Sequence, residues 1–238
     1  MEGANMNSLT ITREQLCRMI DHTNLHPDAV PADFERLCSE AAANHFAMVA
    51  INSSPVALCK KLLRGSDVHV GAAISYPTGQ TTLEAKLFEA ENAIQNGADE
   101  IDYVLNIGEL KNGNLNYIEK EMASLVALCH GSGVVCKVIF ENCYLTKDEI
   151  VSAARIARLI GPDYIKTSTG AGPGGATAQA VRLMKQVAGD AVKVKAAGGI
   201  RDWTTCAAML DAGAQRIGTS SSLKILAQFD AARVAKNG

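Results

Sequence analysis

Two lysines carry the first indication of chemistry in this sequence. Lys166 ends the short run Asp163-Tyr-Ile-Lys166 and precedes a loop of small and hydroxyl-bearing residues, and Lys195 ends a similar run before Ala-Ala-Gly-Gly199. An unpaired ammonium group loses its hydration when buried, so a lysine at the end of an apolar strand calls for a functional explanation. Two neighbouring cations lower each other's pKa, and the neutral amine that results is a nucleophile. The alternative is a pair of solvated lysines at the rim of a sheet.

Two glycine-rich loops predict an anion site near these lysines. One loop, Gly198-Gly-Ile-Arg201, follows the strand of Lys195, and the other, Gly218-Thr-Ser-Ser-Ser222, opens a helix. Glycines let the backbone approach an anion closely, and the free N–H groups of a helix start complete a phosphate site. Ordinary tight turns with a serine-rich helix cap are the alternative. Thr169 and Gly170 are predicted to add a third wall.

A carboxylate is predicted to face the same region. Strand alternation puts Asp102 on one face with Glu100 and Val104, opposite an apolar face that would pack on helices. Lys137, in the next strand, is predicted to point inward and to add positive charge. A carboxylate among lysines can shuttle protons or hold a water, whereas the alternative is a structural salt bridge. Asp21 is predicted to line the same mouth.

Three further patterns carry less chemistry. Glu141 ends the strand of Lys137, either as the counter-ion of that lysine or as a simple rim residue. His22 and His26 are four residues apart, but Pro27 argues against a helical metal site there. The run 170–175 matches the glycine pattern of dinucleotide-binding loops, yet it does not close the first strand–helix–strand unit. We therefore expect neither a metal nor a cofactor.

The elements that must position these residues alternate regularly. Short β-branched runs predict strands at 21–25, 46–51, 68–75, 100–106, 134–141, 163–166, 192–196 and 216–218. Amphipathic stretches predict helices at 32–44, 55–63, 81–96, 116–130, 147–159, 176–187, 204–212 and 222–235, with an extra helix at 13–20 before the first strand. Eight repeats favour a closed α/β architecture, the (β/α)8 TIM barrel, over an open sheet. In such barrels the chemistry lies at the carboxyl ends of the strands.

Length and composition agree with one barrel. The 238 residues suit a single (β/α)8 domain over 1–238, in which we expect residues 1–10 to be a flexible N-terminus. A formal net charge of −2, without long runs of one sign, disfavours a nucleic-acid partner. The chain lacks an apolar run long enough to cross a membrane. Seven scattered cysteines suit a reducing compartment, so a cytoplasmic location is expected.

Several motifs together resemble those of the deoxyribose-phosphate aldolase family of class I aldolases. They are Ile165-Lys-Thr-Ser-Thr-Gly170, Val194-Lys-Ala-Ala-Gly-Gly199, Gly97-Ala-Asp-Glu-Ile-Asp102, Arg216-Ile-Gly-Thr-Ser-Ser221, Lys137-Val-Ile-Phe-Glu-Asn-Cys-Tyr-Leu-Thr146 and Ile20-Asp-His-Thr23. They occur in family order from about residue 21 to about residue 223. Each motif is short, but their combination is specific.

The resemblance implies a reaction and a role for each matching residue. The implied reaction is reversible cleavage of 2-deoxy-D-ribose 5-phosphate to D-glyceraldehyde 3-phosphate and acetaldehyde, in deoxyribonucleoside catabolism. Lys166 takes the position of the Schiff-base lysine, Lys195 that of the lysine that lowers its pKa, and Asp102 that of the proton-shuttling carboxylate. The implied phosphate-binding residues are Gly170, Gly198, Gly199, Gly218, Ser220 and Ser221, supported by Asp21, Lys137 and Thr169. A phosphosugar is then the ligand, and a homodimer or a higher homo-oligomer is expected.

The sequence departs from the family pattern at several points, among them Ala50 and Asn142, where many relatives have cysteine and threonine. Ala171 stands where some relatives have lysine or an aromatic residue, and the tail 233–238 lacks the C-terminal tyrosine of some members. The departure at the tail concerns part of the proton relay that the resemblance implies, but neither lysine. Two other functions share the phosphate loops: a different phosphosugar enzyme, such as an epimerase, and a barrel that binds phosphosugars without catalysis. Neither needs the lysine pair.

Overall fold

The protein is a closed barrel of eight parallel strands wrapped by helices. The computed structural model describes residues 8–237, and strand order around the barrel follows chain order from β1 to β8. The strands are β1 Ile20–Thr23, β2 Met48–Asn52, β3 His69–Ile74, β4 Glu100–Val104, β5 Val135–Ile139, β6 Tyr164–Lys166, β7 Lys193–Ala197 and β8 Arg216–Thr219. The predicted TIM barrel is thus confirmed, including its short and polar first strand.

In the described part of the chain, ten α-helices surround the strands or lie in the connecting loops. They are α1 Arg13–Cys17, α2 Pro31–Asn44, α3 Val56–Leu62, α4 Leu83–Gln95, α5 Ile107–Lys111, α6 Leu115–Gly131, α7 Lys147–Ile160, α8 Ala178–Ala188, α9 Trp203–Asp211 and α10 Ser222–Asn237. Within residues 8–237, none of them is long and apolar enough to cross a membrane.

Local sequence signals explain where the helices begin and end. The side chain of Thr146 caps α7 by accepting from the N–H of Glu149, whose own side chain accepts from the N–H of Thr146. Gly161 then ends α7 in the left-handed conformation that glycine adopts at little cost. Short αβ connections follow, so each helix returns its chain to the barrel next to the preceding strand.

The inside of the barrel is charged, which is unusual for this architecture. Branched apolar side chains generally fill such barrels in layers. Here, among the described residues, seven side chains of acidic or basic type are buried between the strands: Asp21, Glu100, Asp102, Lys137, Lys166, Lys195 and Arg216. The register aligns Asp102 with Lys137 and Lys166 with Lys195 across neighbouring strands. The apolar core instead lies between the strands and the helices, where residues such as Ile101, Tyr103 and Val138 pack.

The structure differs from the predicted elements mainly at their ends. Helix α1 stops at Cys17 rather than at residue 20, because Ile20 already belongs to β1. Strand β4 stops at Val104, and the unpredicted α5 follows directly. The Asn106 side chain caps this short helix by accepting from the N–H of Glu109.

Part of the segment that was expected to be flexible lies outside the described residues, namely residues 1–7. Within the described part, the N–H and the hydroxyl of Ser8 both donate to the carboxylate of Asp211, at 2.8 and 2.7 Å. The guanidinium of Arg233 donates to the carbonyl oxygen of Leu9 at 2.6 Å. Residues 8 and 9 are therefore attached to α9 and α10.

Candidate active site

Lys166 is a buried lysine at the carboxyl end of β6. It is only 3% exposed, and its Nζ donates to Oδ2 of Asp102 at 2.9 Å. Burial lowers the pKa of Lys166 to about 8, from an ordinary 10.5. The charge of Asp102 acts against this shift, and the charges of Lys195 and Lys137 add to it. The amine is therefore available in neutral form near physiological pH.

Lys195 lies beside Lys166 but is itself paired with carboxylates. Its Nζ donates to Oδ2 of Asp102 at 2.7 Å and forms a close ion pair with Asp21. The sequence predicted that a second cation nearby, together with partial removal from water, lowers the pKa of Lys166. In the folded protein removal from water is the larger of these two causes, and the charge of Lys195 adds to it. Both lysines are buried, so the alternative of two solvated rim lysines is wrong.

Asp102 joins the three lysines of the site. Its Oδ1 accepts from Lys137 at 2.7 Å, and its Oδ2 accepts from both Lys166 and Lys195. Burial alone raises the pKa of a carboxyl group, but the three ammonium groups outweigh it and hold the pKa of Asp102 well below its ordinary range. Asp102 is therefore ionised, and it is the acceptor closest to the amine of Lys166.

The ion pairs inside the barrel extend well below Asp102. Lys137 forms a second, close ion pair with Glu100, and Arg216 reaches both Glu100 and Asp21, the latter at 2.9 Å. Asp21 was predicted to line the mouth; it instead lies fully buried beneath it, between Lys195 and Arg216.

The charges of this cluster balance only when Lys166 is neutral. The ion pairs connect three carboxylates, Asp21, Glu100 and Asp102, with four lysine and arginine side chains, Lys137, Lys166, Lys195 and Arg216, and Glu100 also pairs with the half-exposed His69. Carboxylates paired with Lys137 and Arg216 raise the pKa of both basic groups. Because net charge is costly in a buried site, the group that gives up its proton is Lys166.

A cavity of about 550 Å³ opens above the cluster at the carboxyl ends of the strands. Of the charged residues of the cluster, Lys166 alone lines it. Six residues that the sequence predicted to bind or support the phosphate line the same cavity: Thr169, Gly170, Gly198, Gly199, Gly218 and Ser220. Ser221 is not in the lining; its N–H donates to the hydroxyl of Thr219 at 2.9 Å. The structure thus brings the amine and the glycine-rich loops together around one space.

The loops of this cavity are held against one another by close backbone contacts. The N–H of Ala176 donates to the carbonyl oxygen of Gly198 at 2.9 Å. A Cβ added at Gly175 would lie 2.3 Å from that oxygen, and Gly198 itself has a φ of +86°, which favours glycine. The glycine pattern at 170–175 therefore has a packing role here: it lets the β6–α8 loop approach the β7–α9 loop.

Glu141 supports the wall formed by Thr169. It is buried and has a left-handed backbone with φ of 55°. Its carboxylate accepts from the N–H of Thr169 at 3.2 Å and from the Thr169 hydroxyl. Lys137 pairs instead with Glu100 and Asp102, so Glu141 is not its counter-ion.

Two residues of the site were not found by sequence reasoning. Arg216 completes the ion pairs of Asp21 and Glu100, and Tyr76 lines the cavity and donates its hydroxyl to the carbonyl oxygen of Thr169 at 3.1 Å. The position of Arg216 at the start of β8 could have been noticed, since a strand-interior arginine needs a buried partner. Tyr76 follows β3 and gives no comparable signal.

Comparison with known proteins assigns the chain to a family. The model of the DeoC/LacD family of aldolases matches residues 16–228. The chain belongs to this aldolase family. The deoxyribose-phosphate aldolase of Lactobacillus acidophilus is 55% identical over 214 residues, which cover 90% of each chain. That of Bacteroides thetaiotaomicron is 48% identical over 231 residues, or 96% of this chain and 97% of the other.

Solved structures of this aldolase family have the same fold. The deoxyribose phosphate aldolase of Aeropyrum pernix, described as having a unique tetrameric structure, superposes with a TM-score of 0.87 at 31% identity, over 93% of each chain. The resemblance in the motifs is thereby confirmed: the chain is an aldolase, a lyase of carbon–carbon bonds.

Proposed function

We propose that this aldolase reversibly cleaves 2-deoxy-D-ribose 5-phosphate to D-glyceraldehyde 3-phosphate and acetaldehyde, through a Schiff base on Lys166. The observation that carries the proposal is a buried lysine with a pKa of about 8 that lines a cavity shared with the loops after β7 and β8. Those two loops are the usual phosphate site of this barrel architecture. The names of the relatives supply the substrate.

The first half of the reaction forms the imine. The neutral Nζ of Lys166 attacks the C1 aldehyde of the open-chain sugar, and the carbinolamine loses water to become a protonated imine. Asp102 accepts from both Lys166 and Lys195 through one oxygen, Oδ2. A proton released by Lys166 therefore has the Asp102 carboxylate within hydrogen-bond distance, and that carboxylate contacts Lys195 in turn; this relay returns the proton to the departing hydroxide.

The second half breaks the bond between C2 and C3. The C3 hydroxyl loses its proton, the C2–C3 electron pair moves toward the imine nitrogen, and glyceraldehyde 3-phosphate leaves. Protonation of the remaining enamine at C2 and addition of water to the imine release acetaldehyde and free Lys166. The cationic imine, like the ammonium form, is stabilised by the charge of Asp102. Burial of Lys166 also keeps bulk water largely away from the intermediate.

The phosphate is proposed to lie at the end of the cavity away from Lys166. Backbone N–H groups of Gly170, Gly198, Gly199 and Gly218, with Ser220, are the candidate donors that line the cavity. Ser221 precedes the first residue of α10, and its hydroxyl is a further candidate donor at this helix N-terminus, where an anion is favoured.

A cleavage assay with matched lysine variants tests the proposal. We expect the wild type to convert deoxyribose 5-phosphate to both products, Lys166→Met to lose at least about 1,000-fold in kcat, and Lys120→Met, on the exposed face of α6, to keep wild-type activity. Absence of cleavage by folded wild-type protein, or an active Lys166→Met variant, would contradict it.

We also infer that the aldolase works as a homo-oligomer in the cytoplasm. The described tetramer of the Aeropyrum pernix relative supports an oligomer, and the substrate, a metabolic phosphosugar, supports the compartment. Light scattering on the purified chain tests the assembly: a monomer at micromolar concentration would contradict it.

A further inference from the structure

A continuous series of ion pairs crosses the barrel from Lys166 to a histidine at its opposite end. From Lys166, Asp102 bridges to Lys137 at 2.7 Å, and Lys137 pairs closely with Glu100. The other carboxylate oxygen of Glu100 accepts from Nδ1 of His69 at 2.8 Å. His69 is the first residue of β3, at the amino-terminal face, and 51% of its side chain is exposed.

The surroundings of His69 favour its charged form. The hydrogen bond with Glu100 raises the pKa of His69 above its ordinary 6.5, burial acts against this, and the charge of Asp99 adds to it. Arg216, which also pairs with Glu100, is the cation that opposes a charge on His69. On the side of Lys166, the facing charges are those of Asp102, Lys137 and Lys195.

We propose that His69 is a positioning residue that sets the protonation of Lys166 from the far end of the barrel. The three carboxylates are balanced by Lys137, Lys195 and Arg216 when Lys166 is neutral. A proton on His69 makes the buried group of charges positive, so a further proton on Lys166 becomes less favourable. Protonation of His69 thus keeps the amine of Lys166 free as the pH falls. The expected effect on catalysis rests on the proposed function, but the electrostatic coupling between His69 and Lys166 does not.

The expected coupling is modest but measurable. His69 and Lys166 are separated by roughly the rise of three or four strand residues, on the order of 10 Å. Two unit charges at that distance interact by about one pH unit at an effective dielectric constant near 20. Because His69 is half-exposed, water screens its charge, and we expect about half a unit.

A pair of variants fixes the charge at position 69 in either state. His69→Arg is always positive and His69→Gln always neutral, and the titration of Lys166 is followed by NMR of 13C-labelled lysine side chains, assigned with Lys166→Met. We expect Lys166 to titrate about half a unit lower in His69→Arg than in His69→Gln. At pH 6.5, kcat/KM should then be about threefold higher in the arginine variant. Equal midpoints in the two variants would overturn the proposal.

His130 offers a matched control. It is 44% exposed, lies at the same kind of surface, and pairs with a single carboxylate, Asp163, at 3.0 Å. The titration midpoint of Lys166 should be the same in His130→Arg as in His130→Gln. A shift as large as that at position 69 would mean that any surface charge has this effect, and it would contradict a specific role for the ion pairs.

A reciprocal measurement needs no change at position 69. Coupling between two sites is mutual, so removal of the Lys166 charge must raise the pKa of His69 by the same amount. We expect the imidazole NMR titration of His69 to move up by about half a unit in Lys166→Met. An unchanged His69 titration would refute the coupling. This measurement does not require catalysis, so its result tests the coupling separately from the proposed reaction.

Discussion

Replacement of Lys166 by methionine is expected to make the protein more stable at neutral pH, although it removes the nucleophile. Lys166 titrates near 10.5 when unfolded and near 8 when folded. Each pKa unit corresponds to about 1.4 kcal/mol, so burial of this lysine costs about 3 kcal/mol at pH 7. Methionine fills a similar space without a charge. Asp102 keeps its hydrogen bonds from Lys137 and Lys195, both at 2.7 Å.

The pH dependence of this gain follows from the direction of the shift. The folded pKa lies below the unfolded one, so the unfolded chain binds the extra proton between pH 8 and 10.5. Wild-type stability therefore rises with pH through that window, whereas the variant lacks this contribution. The free energy of unfolding of Lys166→Met should exceed that of the wild type by about 2 to 3 kcal/mol at pH 7, after subtraction of the lost hydrogen bond to Asp102. This difference should shrink by about 2 kcal/mol at pH 9.5.

Reversible urea unfolding of both proteins at pH 7 and pH 9.5 measures this difference. Lys137→Met is the matched control, since it makes the same chemical change one strand away. The carboxylates around Lys137 raise its pKa, so its loss leaves Glu100 and Asp102 short of a cation and should cost about 3 to 5 kcal/mol. If Lys166→Met were destabilised like Lys137→Met, or if its effect did not change with pH, a lowered pKa of Lys166 in the folded protein would be the wrong description.

Three further predictions concern activity. The pH profile of kcat/KM should rise about tenfold per unit below pH 8 and level off above it, because only neutral Lys166 attacks the aldehyde; a flat profile from pH 6 to 9 would contradict this. Ser221→Ala should raise KM for the phosphorylated sugar about two- to tenfold and leave kcat nearly unchanged, and a loss in kcat alone would count against a phosphate role. Gly175→Ala places a Cβ 2.3 Å from the carbonyl oxygen of Gly198, so it should raise KM at least about tenfold and lower the melting temperature; wild-type values for both would show that the two loops need not approach.

The sequence predicts the fold and the residues of the site better than it predicts their energetics. The strand-end lysines and Asp102 can be located because alternation along a strand decides which side chains face the barrel axis. The balance of charges cannot be read in the same way, since Arg216 and Asp21 are paired although they lie at opposite ends of the chain. That pairing depends on barrel closure between β1 and β8.

The same reason explains why the size of the Lys195 effect cannot be predicted from the sequence. From the sequence, Lys195 is a free cation beside Lys166, and a free cation strongly lowers a neighbouring pKa. In the folded protein Asp21 and Asp102 compensate its charge. The short helix α5 was not predicted for a different reason. Its five residues are too few to show a helical period, although the Asn106 cap is visible in the sequence.

The location of the covalent adduct tests most directly whether Lys166 is the nucleophile. The aldolase is incubated with deoxyribose 5-phosphate, reduced with borohydride, digested and analysed by mass spectrometry, with Lys166→Met as the control. We expect irreversible inactivation that requires substrate, and a single reduced adduct on the peptide that contains Lys166. An adduct on Lys195 or Lys137, or cleavage that continues without any trapped lysine, would contradict the central claim.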